Sequence, residues 1–274
     1  MQILFNGELL PAASLNLGWP NRGLAFGDGF FETLVFEANH LRFVDDHFQR
    51  MQQAATALQL KLPAALASGE ALATTLLQLP HANALPAARL RLQLWRAGGG
   101  RYTPLTTACE WLATTEPFVA DDSPIATADF AVETHSVHSP LSFCKGPQAW
   151  LYVRAAHERQ RRGLDEIILC DAAGHVAEAG AAAVFWVKNG VLFTPSLTSG
   201  CVAGVRRAQV LRAARAAGVE YREGLFFQAE MAAADSVFTA NVASLRAVLR
   251  IGAKEFATPP PALLSLATAH SSQA

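Results

Sequence analysis

The chain has 274 residues, of which 51% are apolar and 16% charged, with a formal net charge of −1. That balance gives no electrostatic reason for a nucleic-acid or anionic-membrane partner, and no apolar run reaches membrane-spanning length. Four dispersed cysteines (Cys109, Cys144, Cys170, Cys201) offer neither a disulfide framework nor a zinc motif, so a soluble, cytoplasmic, metal-free globular protein is expected.

The opening MQILFNGELLPA has no basic segment ahead of a hydrophobic run and is not expected to act as a signal peptide. It reads as a hairpin turning at Asn6-Gly7, and FFETLVFEANHLRFV as another with Asn39-His40 near its tip. DDHFQRMQQAATAL predicts a helix capped by Asp45 or Asp46, with Phe48, Met51 and Leu58 on its apolar side. SGEALATTLLQL predicts a second helix. ARLRLQLWRA alternates Leu90, Leu92 and Leu94 against Arg89, Arg91 and Gln93, the mark of a half-buried strand. ACEWLATT is a further strand.

EPFVADDSPIA reads as a linker. TADFAVET predicts a strand beyond it. GPQAWLYVRAAHERQRRG predicts a helix, with Pro147 suited to the first turn and Gly163 to the C-cap. DEIILCD, AAAVFWVKNGVLFTP (turning at Asn189-Gly190) and DSVFTAN are strands, and VAGVRRAQVLRAARAAG is a helix ending at Gly218. The tail LATAHSSQA is expected to fray. Hairpins interrupt the strand–helix rhythm, which predicts an α+β class rather than a doubly wound sheet. The expected domains are 1–116 and 126–274, joined by a linker at 117–125.

Four features invite chemistry, each beside an ordinary reading. Lys145, in PLSFCKGPQAW, is one of only four lysines (with Lys61, Lys188 and Lys254) in an arginine-rich chain. An amine just before a helix start, among apolar neighbours, is pushed toward its neutral, nucleophilic form; the ordinary reading is a solvated loop lysine. Glu178, in HVAEAGAAAVFW, is either a buried carboxylate needing a cation or an exposed residue of a hairpin after Gly174. Gly200 and Gly204 precede a helix start, either an anion site or a plain turn. Arg50 either pairs with Asp46 four residues earlier or turns its planar fork to a phosphate.

Together these pieces resemble the fold-type IV pyridoxal-phosphate enzymes, the class IV aminotransferases: branched-chain aminotransferase, D-amino-acid aminotransferase and aminodeoxychorismate lyase. The resemblance runs from Phe5 to about Val248, through NRGLAFGDGFFETLVF, DDHFQRM, a lysine before a helix, GLDEIILCDAAGHVAEA, FWVKNGVLFTPSL, GCVAGVRR and ADSVFTAN. It implies a two-domain D-amino-acid-aminotransferase-like architecture, a homodimer, and pyridoxal 5'-phosphate carried by Lys145 as a Schiff base in the larger domain. It implies that Glu178 partners the pyridine nitrogen and that Arg50, with His47 beside it, grips the phosphate. Gly204, Val205 and Arg206 correspond to the phosphate cup, and Thr239, Ala240 and Asn241 to its second wall. Phe31 and Thr33 correspond to substrate-side positions, Thr33 with a catalytic part, and Arg101, in RAGGGRYTP, to the loop arginine that receives a substrate carboxylate.

The chain departs from the family pattern at Gly146, Gln148, Ala183 and Ala247. Within the family, Thr33, the RAGGGRYTP loop and Phe185-Trp186 lean toward 4-amino-4-deoxychorismate lyase, which releases 4-aminobenzoate and pyruvate on the folate route. The alternatives are a branched-chain or D-amino-acid aminotransferase, or a degenerate member that binds cofactor without turnover.

Overall fold

The computed structural model describes residues 1–147 and 149–260. The departure at Gln148 and the expected frayed tail lie outside these residues. The chain divides into two compact units: Met1–Ala120 together with Cys144–Pro147, and Asp121–Phe143 together with the described residues from 149 onward.

The first unit contains β1 (Gln2–Phe5), β2 (Glu8–Pro11), α1 (Arg22–Phe26), β3 (Gly29–Glu37), β4 (His40–Leu41), α2 (Val44–Ala57), α3 (Gly69–Ala82), β5 (Ala88–Arg96) and β6 (Cys109–Pro117). Its strands form one antiparallel sheet in the order β2-β1-β6-β5-β3-β4. The first hairpin turns as expected, with Asn6 and Gly7 at positive φ (51° and 94°), the pair of conformations that matches strand twist. The second tip lies one residue earlier than expected, because Ala38 and Asn39 (φ 49° and 64°) make the turn and His40 already pairs with Glu37.

The alternation read in β5 is real: Leu90, Leu92 and Leu94 have no exposure, while Arg89, Arg91 and Gln93 face outward. The leucine face joins Leu4 and Leu34 against α2 and α3, where Met51, Ala54, Leu72, Leu76 and Leu79 are also fully buried. Each buried Leu or Met side chain contributes about 1.5–3 kcal/mol. α3 begins as predicted, its Ser68 hydroxyl accepting from the Ala71 N–H at 3.0 Å. α2 does not. Its N-cap is Phe43 in a left-handed conformation, no side chain caps it, and Asp45 and Asp46 sit inside the first turn. Its buried face runs through His47, Arg50, Met51 and Ala54 rather than Phe48 and Leu58. The reason is a carboxylate on the sheet beneath it, described below.

The second unit contains β7 (Ala128–Phe130), α4 (Ala149–Arg161), β8 (Glu166–Cys170), β9 (Val176–Ala179), β10 (Ala183–Lys188), β11 (Val191–Pro195), α5 (Val205–Ala216), β12 (Tyr221–Gly224), α6 (Gln228–Ala232), β13 (Ser236–Ala240), β14 (Leu245–Val248), β15 (Arg250–Ile251) and β16 (Lys254–Glu255). Two five-stranded sheets, β12-β11-β10-β13-β14 and β16-β15-β7-β8-β9, share a core of Ile168, Val184, Trp186, Val237 and Val248. α5 covers the outer face of the first sheet through Val210 and Ala214 against Phe185 and Phe238. α4 covers the outer face of the second through Ala155 against Ile167 and Leu169. Asn189-Gly190 make the β10–β11 turn at φ 52° and 79°, and Gly163 and Gly218 follow their helices at φ 64° and 68°, as their positions in the sequence predict. Antiparallel pairs predominate and helices lie on the outside, which is the expected α+β class.

The lysine segment groups differently from its place in the sequence. Read in order, Lys145 belongs with the C-terminal half, yet Cys144–Pro147 pack with the first unit. The Phe31 N–H donates to the Lys145 carbonyl at 3.0 Å, extending the edge of β3.

Candidate active site

Lys145 is half-buried, and its Nζ lies 5.9 Å from the centroid of the Phe31 ring. The next residue holds it there. Gly146 adopts φ +131°, and a Cβ on it would stand 2.9 Å from the Phe30 Cα. This explains one departure from the family pattern, since any side chain in place of Gly146 collides with backbone. Gly146→Ala is expected to cost about 1–3 kcal/mol from the φ value alone, read as a lower denaturant midpoint; an unshifted midpoint would show that the segment moves freely.

Glu32 is the residue that sequence reasoning missed. Its strand neighbours Phe30, Leu34 and Phe36 are all buried, so period-two alternation puts Glu32 in the core register at 1% exposure. A carboxylate there needs a cation and hydrogen-bond donors. α2 supplies them: Arg50 Nε donates to Glu32 Oε1 at 2.8 Å, Arg50 Nη2 to Oε2 at 2.5 Å, and His47 Nδ1 to Oε2 at 2.7 Å. Burial would raise the Glu32 pKa, but the Arg50 charge and the bonds from His47 and Arg50 outweigh it and hold the carboxyl at about 2. His47 is pushed down by burial, against its bond to Glu32 and helped by the charges of Arg50 and Lys145, so its ring stays neutral. Glu32 only accepts, which places the ring proton on Nδ1. Arg50 is therefore an oriented, buried guanidinium at 5% exposure, gripped through two of its nitrogens by Glu32.

The other face of β3 carries Phe31 and Thr33, both half-buried. Arg91, opposite Thr33 on β5, stacks its guanidinium 3.8 Å from the Phe31 ring centroid. Sequence reading classed Arg91 as the polar side of a strand; only the pairing register puts it beside Phe31 and Thr33. Arg101 sits exposed on the loop joining β5 to β6.

In the second unit, Glu178 on β9 is 5% exposed, which removes the reading of it as an exposed hairpin residue. The hairpin before it is set by Asp171, whose Oδ1 accepts from Ala173 and His175 N–H at 2.9 Å each, with Gly174 at φ 90°. Glu178 Oε1 accepts from the Tyr152 hydroxyl at 2.7 Å and Oε2 from the Val202 N–H at 3.3 Å. Tyr152, on α4, is a second residue missed from sequence. Gly204 is the N-cap of α5, no side chain caps that end, and Val205 and Arg206 open the helix at 5% exposure each. Ala183 opens β10, beside this turn: a Cβ on Gly204 would lie 4.0 Å from the Ala183 Cβ.

Thr239 and Ala240 end β13, an interior strand between β10 and β14, at 4% and 2% exposure. Asn241 follows, with its side chain occupied by the turn: Oδ1 accepts from Ala243 N–H at 2.9 Å and Ser244 N–H at 3.0 Å, and Nδ2 donates to the Ala181 carbonyl at 3.2 Å. It braces the β13–β14 hairpin. Ala247 on β14 is buried opposite Phe238, and its carbonyl accepts from the Ile125 N–H at 2.7 Å.

Each unit holds groups of the kind that pyridoxal phosphate needs. The first unit provides a primary amine and an oriented buried guanidinium. The second provides an uncapped helix N-terminus suited to an anion and a buried carboxylate suited to a protonated ring nitrogen.

Comparison with known proteins agrees. The chain is 25% identical over 273 residues to D-alanine aminotransferase of Bacillus licheniformis, covering 97% of this chain and 93% of that protein. The 4-amino-4-deoxychorismate lyase structure from Pseudomonas aeruginosa superposes with a TM-score of 0.82 at 27% identity, over 96% of each chain. The branched-chain aminotransferase of the archaeon Thermoproteus uzoniensis shares the fold, with a TM-score of 0.87 at 23% identity over 97% of this chain and 92% of that one. Residues 29–252 match the amino-transferase class IV family, and the chain belongs to it.

Proposed function

We propose that this is a pyridoxal-phosphate-dependent enzyme acting on a carboxylate-bearing amino substrate, with 4-amino-4-deoxychorismate lyase as the activity best supported. When bound, pyridoxal phosphate supplies an electron sink that stabilises charge left by the loss of a proton next to an amine. The side chains have the following parts. Lys145 offers an amine that binds the cofactor and then takes and returns the proton at its Nζ. Arg50, aimed by Glu32, and the N–H groups of Val205 and Arg206 hold the phosphate, with Thr239 and Ala240 as its second wall and Asn241 bracing that wall. Glu178, aimed by Tyr152, holds the proton on the ring nitrogen. Arg101 receives a substrate carboxylate, and Phe31 and Arg91 form a flat stacked platform on the same sheet face as Thr33.

The observation that carries the lyase reading is Thr33. Its position across from Arg91 places a hydroxyl on the open sheet face, where it can pass a proton to a leaving group. The similarity to the Pseudomonas aeruginosa lyase supports the same reading. Transamination is the second reading, and it uses every residue named except Thr33. The test supplies purified protein and cofactor with aminodeoxychorismate, then D-alanine, then branched-chain 2-oxo acids with glutamate. Release of 4-aminobenzoate with pyruvate is expected; amino-group transfer without it replaces the lyase reading with transamination. A protein inert to all three would be a cofactor-binding member that has lost turnover.

Glu178→Gln is the sharper check on the chemistry. The amide still accepts from Tyr152 but carries no charge. The cofactor is expected to stay bound while kcat falls roughly 10²-fold, the scale of one lost electrostatic stabiliser. Turnover at the wild-type rate would remove Glu178 from the reaction.

A further inference from the structure

One carboxylate in the first unit holds both sides of the loop that carries Arg101. Asp28 lies in the turn between α1 and β3 and is bound by two buried arginines. Arg22 Nε donates to Asp28 Oδ2 at 2.7 Å; Arg96 Nε donates to the same oxygen at 2.9 Å and Arg96 Nη2 to Oδ1 at 3.4 Å. Arg22 is 4% exposed and Arg96 5%. Burial works against ionised Asp28, but the bonds and charges of Arg96 and Arg22 hold its pKa below the usual carboxylate range.

The outer ends of the two guanidiniums reach the loop. Arg22 Nη1 donates to the carbonyls of Gly99 (3.3 Å), Gly100 (3.2 Å) and Arg101 (2.6 Å). Arg96 Nη1 donates to the carbonyls of Thr106 (3.3 Å) and Gln59 (3.0 Å), and Arg96 Nη2 to that of Leu58 (2.6 Å). The near and far sides of the loop are thus tied to one anion through two planar forks. Such ties matter here because the segment is three consecutive glycines, with Gly98 and Gly100 at φ 75° and 96°. Glycine loses the most conformational freedom on ordering, so an unanchored Gly98–Gly100 run would sample many paths. The Arg101 side chain is exposed and gains no order from packing; its direction comes from its own backbone, and Arg22 holds the carbonyl of that residue.

We infer that Asp28, acting through Arg22 and Arg96, is the positioning residue that aims Arg101 at the substrate carboxylate. The inference rests on the reading of Arg101 given above. Arg22→Lys keeps the charge but cannot reach Asp28 and three carbonyls at once, and Asp28→Asn keeps the shape while dropping the charge that both forks share.

The test uses the cofactor-loaded protein and two readouts. The first is trypsin cleavage between Arg101 and Tyr102, which needs a mobile loop. Both variants are expected to be cut there at least 5-fold faster than wild type. The second is steady-state kinetics with aminodeoxychorismate, or with D-alanine if that is the amine turned over. Arg22→Lys, Asp28→Asn and Arg101→Ala are each expected to raise KM about 10-fold with kcat within 2-fold, and the first two to add nothing further in an Arg101→Ala background. Faster cleavage with an unchanged KM, while Arg101→Ala still raises KM, overturns the positioning role and leaves the Arg101 reading intact. An unchanged KM in Arg101→Ala sinks that reading and this inference together. An unchanged cleavage rate in both variants shows that the two forks do not hold the loop.

Discussion

Lys145→Ala is expected to abolish turnover, with kcat falling at least roughly 10³-fold, within the range that a positioned acid–base group supplies. In the proposed reading the amine both anchors the cofactor and moves the proton, so one truncation removes two functions. The local fold should survive, because the segment is held by backbone: the Lys145 carbonyl accepts from the Phe31 N–H, and Gly146 rests against Phe30. The melting temperature of the cofactor-free variant is therefore expected within about 2 °C of cofactor-free wild type, a stability change of at most about 0.5 kcal/mol. Dialysed variant should carry no visible-absorbing cofactor, and added methylamine should restore a small part of the turnover. Turnover within 10-fold of wild type would mean that another group moves the proton.

The largest stability effect is expected from Glu32→Ala. The substitution leaves Arg50 buried beside a neutral His47 with its carboxylate gone. Removing one partner of a buried ion pair costs about 3–5 kcal/mol, which lowers the melting temperature of a chain this size by roughly 6–20 °C. The same residue predicts how stability depends on pH. Its carboxyl is held at about 2 in the folded protein against an ordinary 4.5, so its contribution is present in full above pH 4.5. That contribution is lost as pH falls from 4.5 toward 2, when the unfolded chain takes up the proton first. Glu32→Gln should flatten this part of the curve, measured by denaturant titration at pH 5 and pH 3. A wild-type slope in Glu32→Gln would assign the acid sensitivity to other carboxylates. Phosphate affinity should also weaken in both variants if Glu32 aims Arg50 at the cofactor.

Local elements were readable because local rules decide them. The Asn6-Gly7 and Asn189-Gly190 turns need positive φ, which those residues tolerate, and the β5 leucines declare their face by period two. The errors arose where one element answers to another. α2 was assigned an apolar stripe from its own spacing, but its buried face carries His47 and Arg50 because Glu32, on a different strand, demands them. Glu32 itself was legible in principle: a carboxylate in phase with Phe30, Leu34 and Phe36 announces a buried ion pair. Tyr152 and Arg91 were not, because a helix or strand period says which side a residue faces and not which side chain it meets.

The amino-acid sequence alone determined the class of elements and the family, and it singled out Lys145, Glu178 and Arg50 as candidates, since these depend on residue type and short-range spacing. Only the tertiary structure decided that Lys145 packs with the N-terminal unit, that Glu32 aims Arg50, that Tyr152 aims Glu178 and that Asp28 ties down the Arg101 loop. Each of these is a hydrogen bond or packing contact between residues far apart in the chain, with partners chosen by strand register and helix docking that no local pattern encodes.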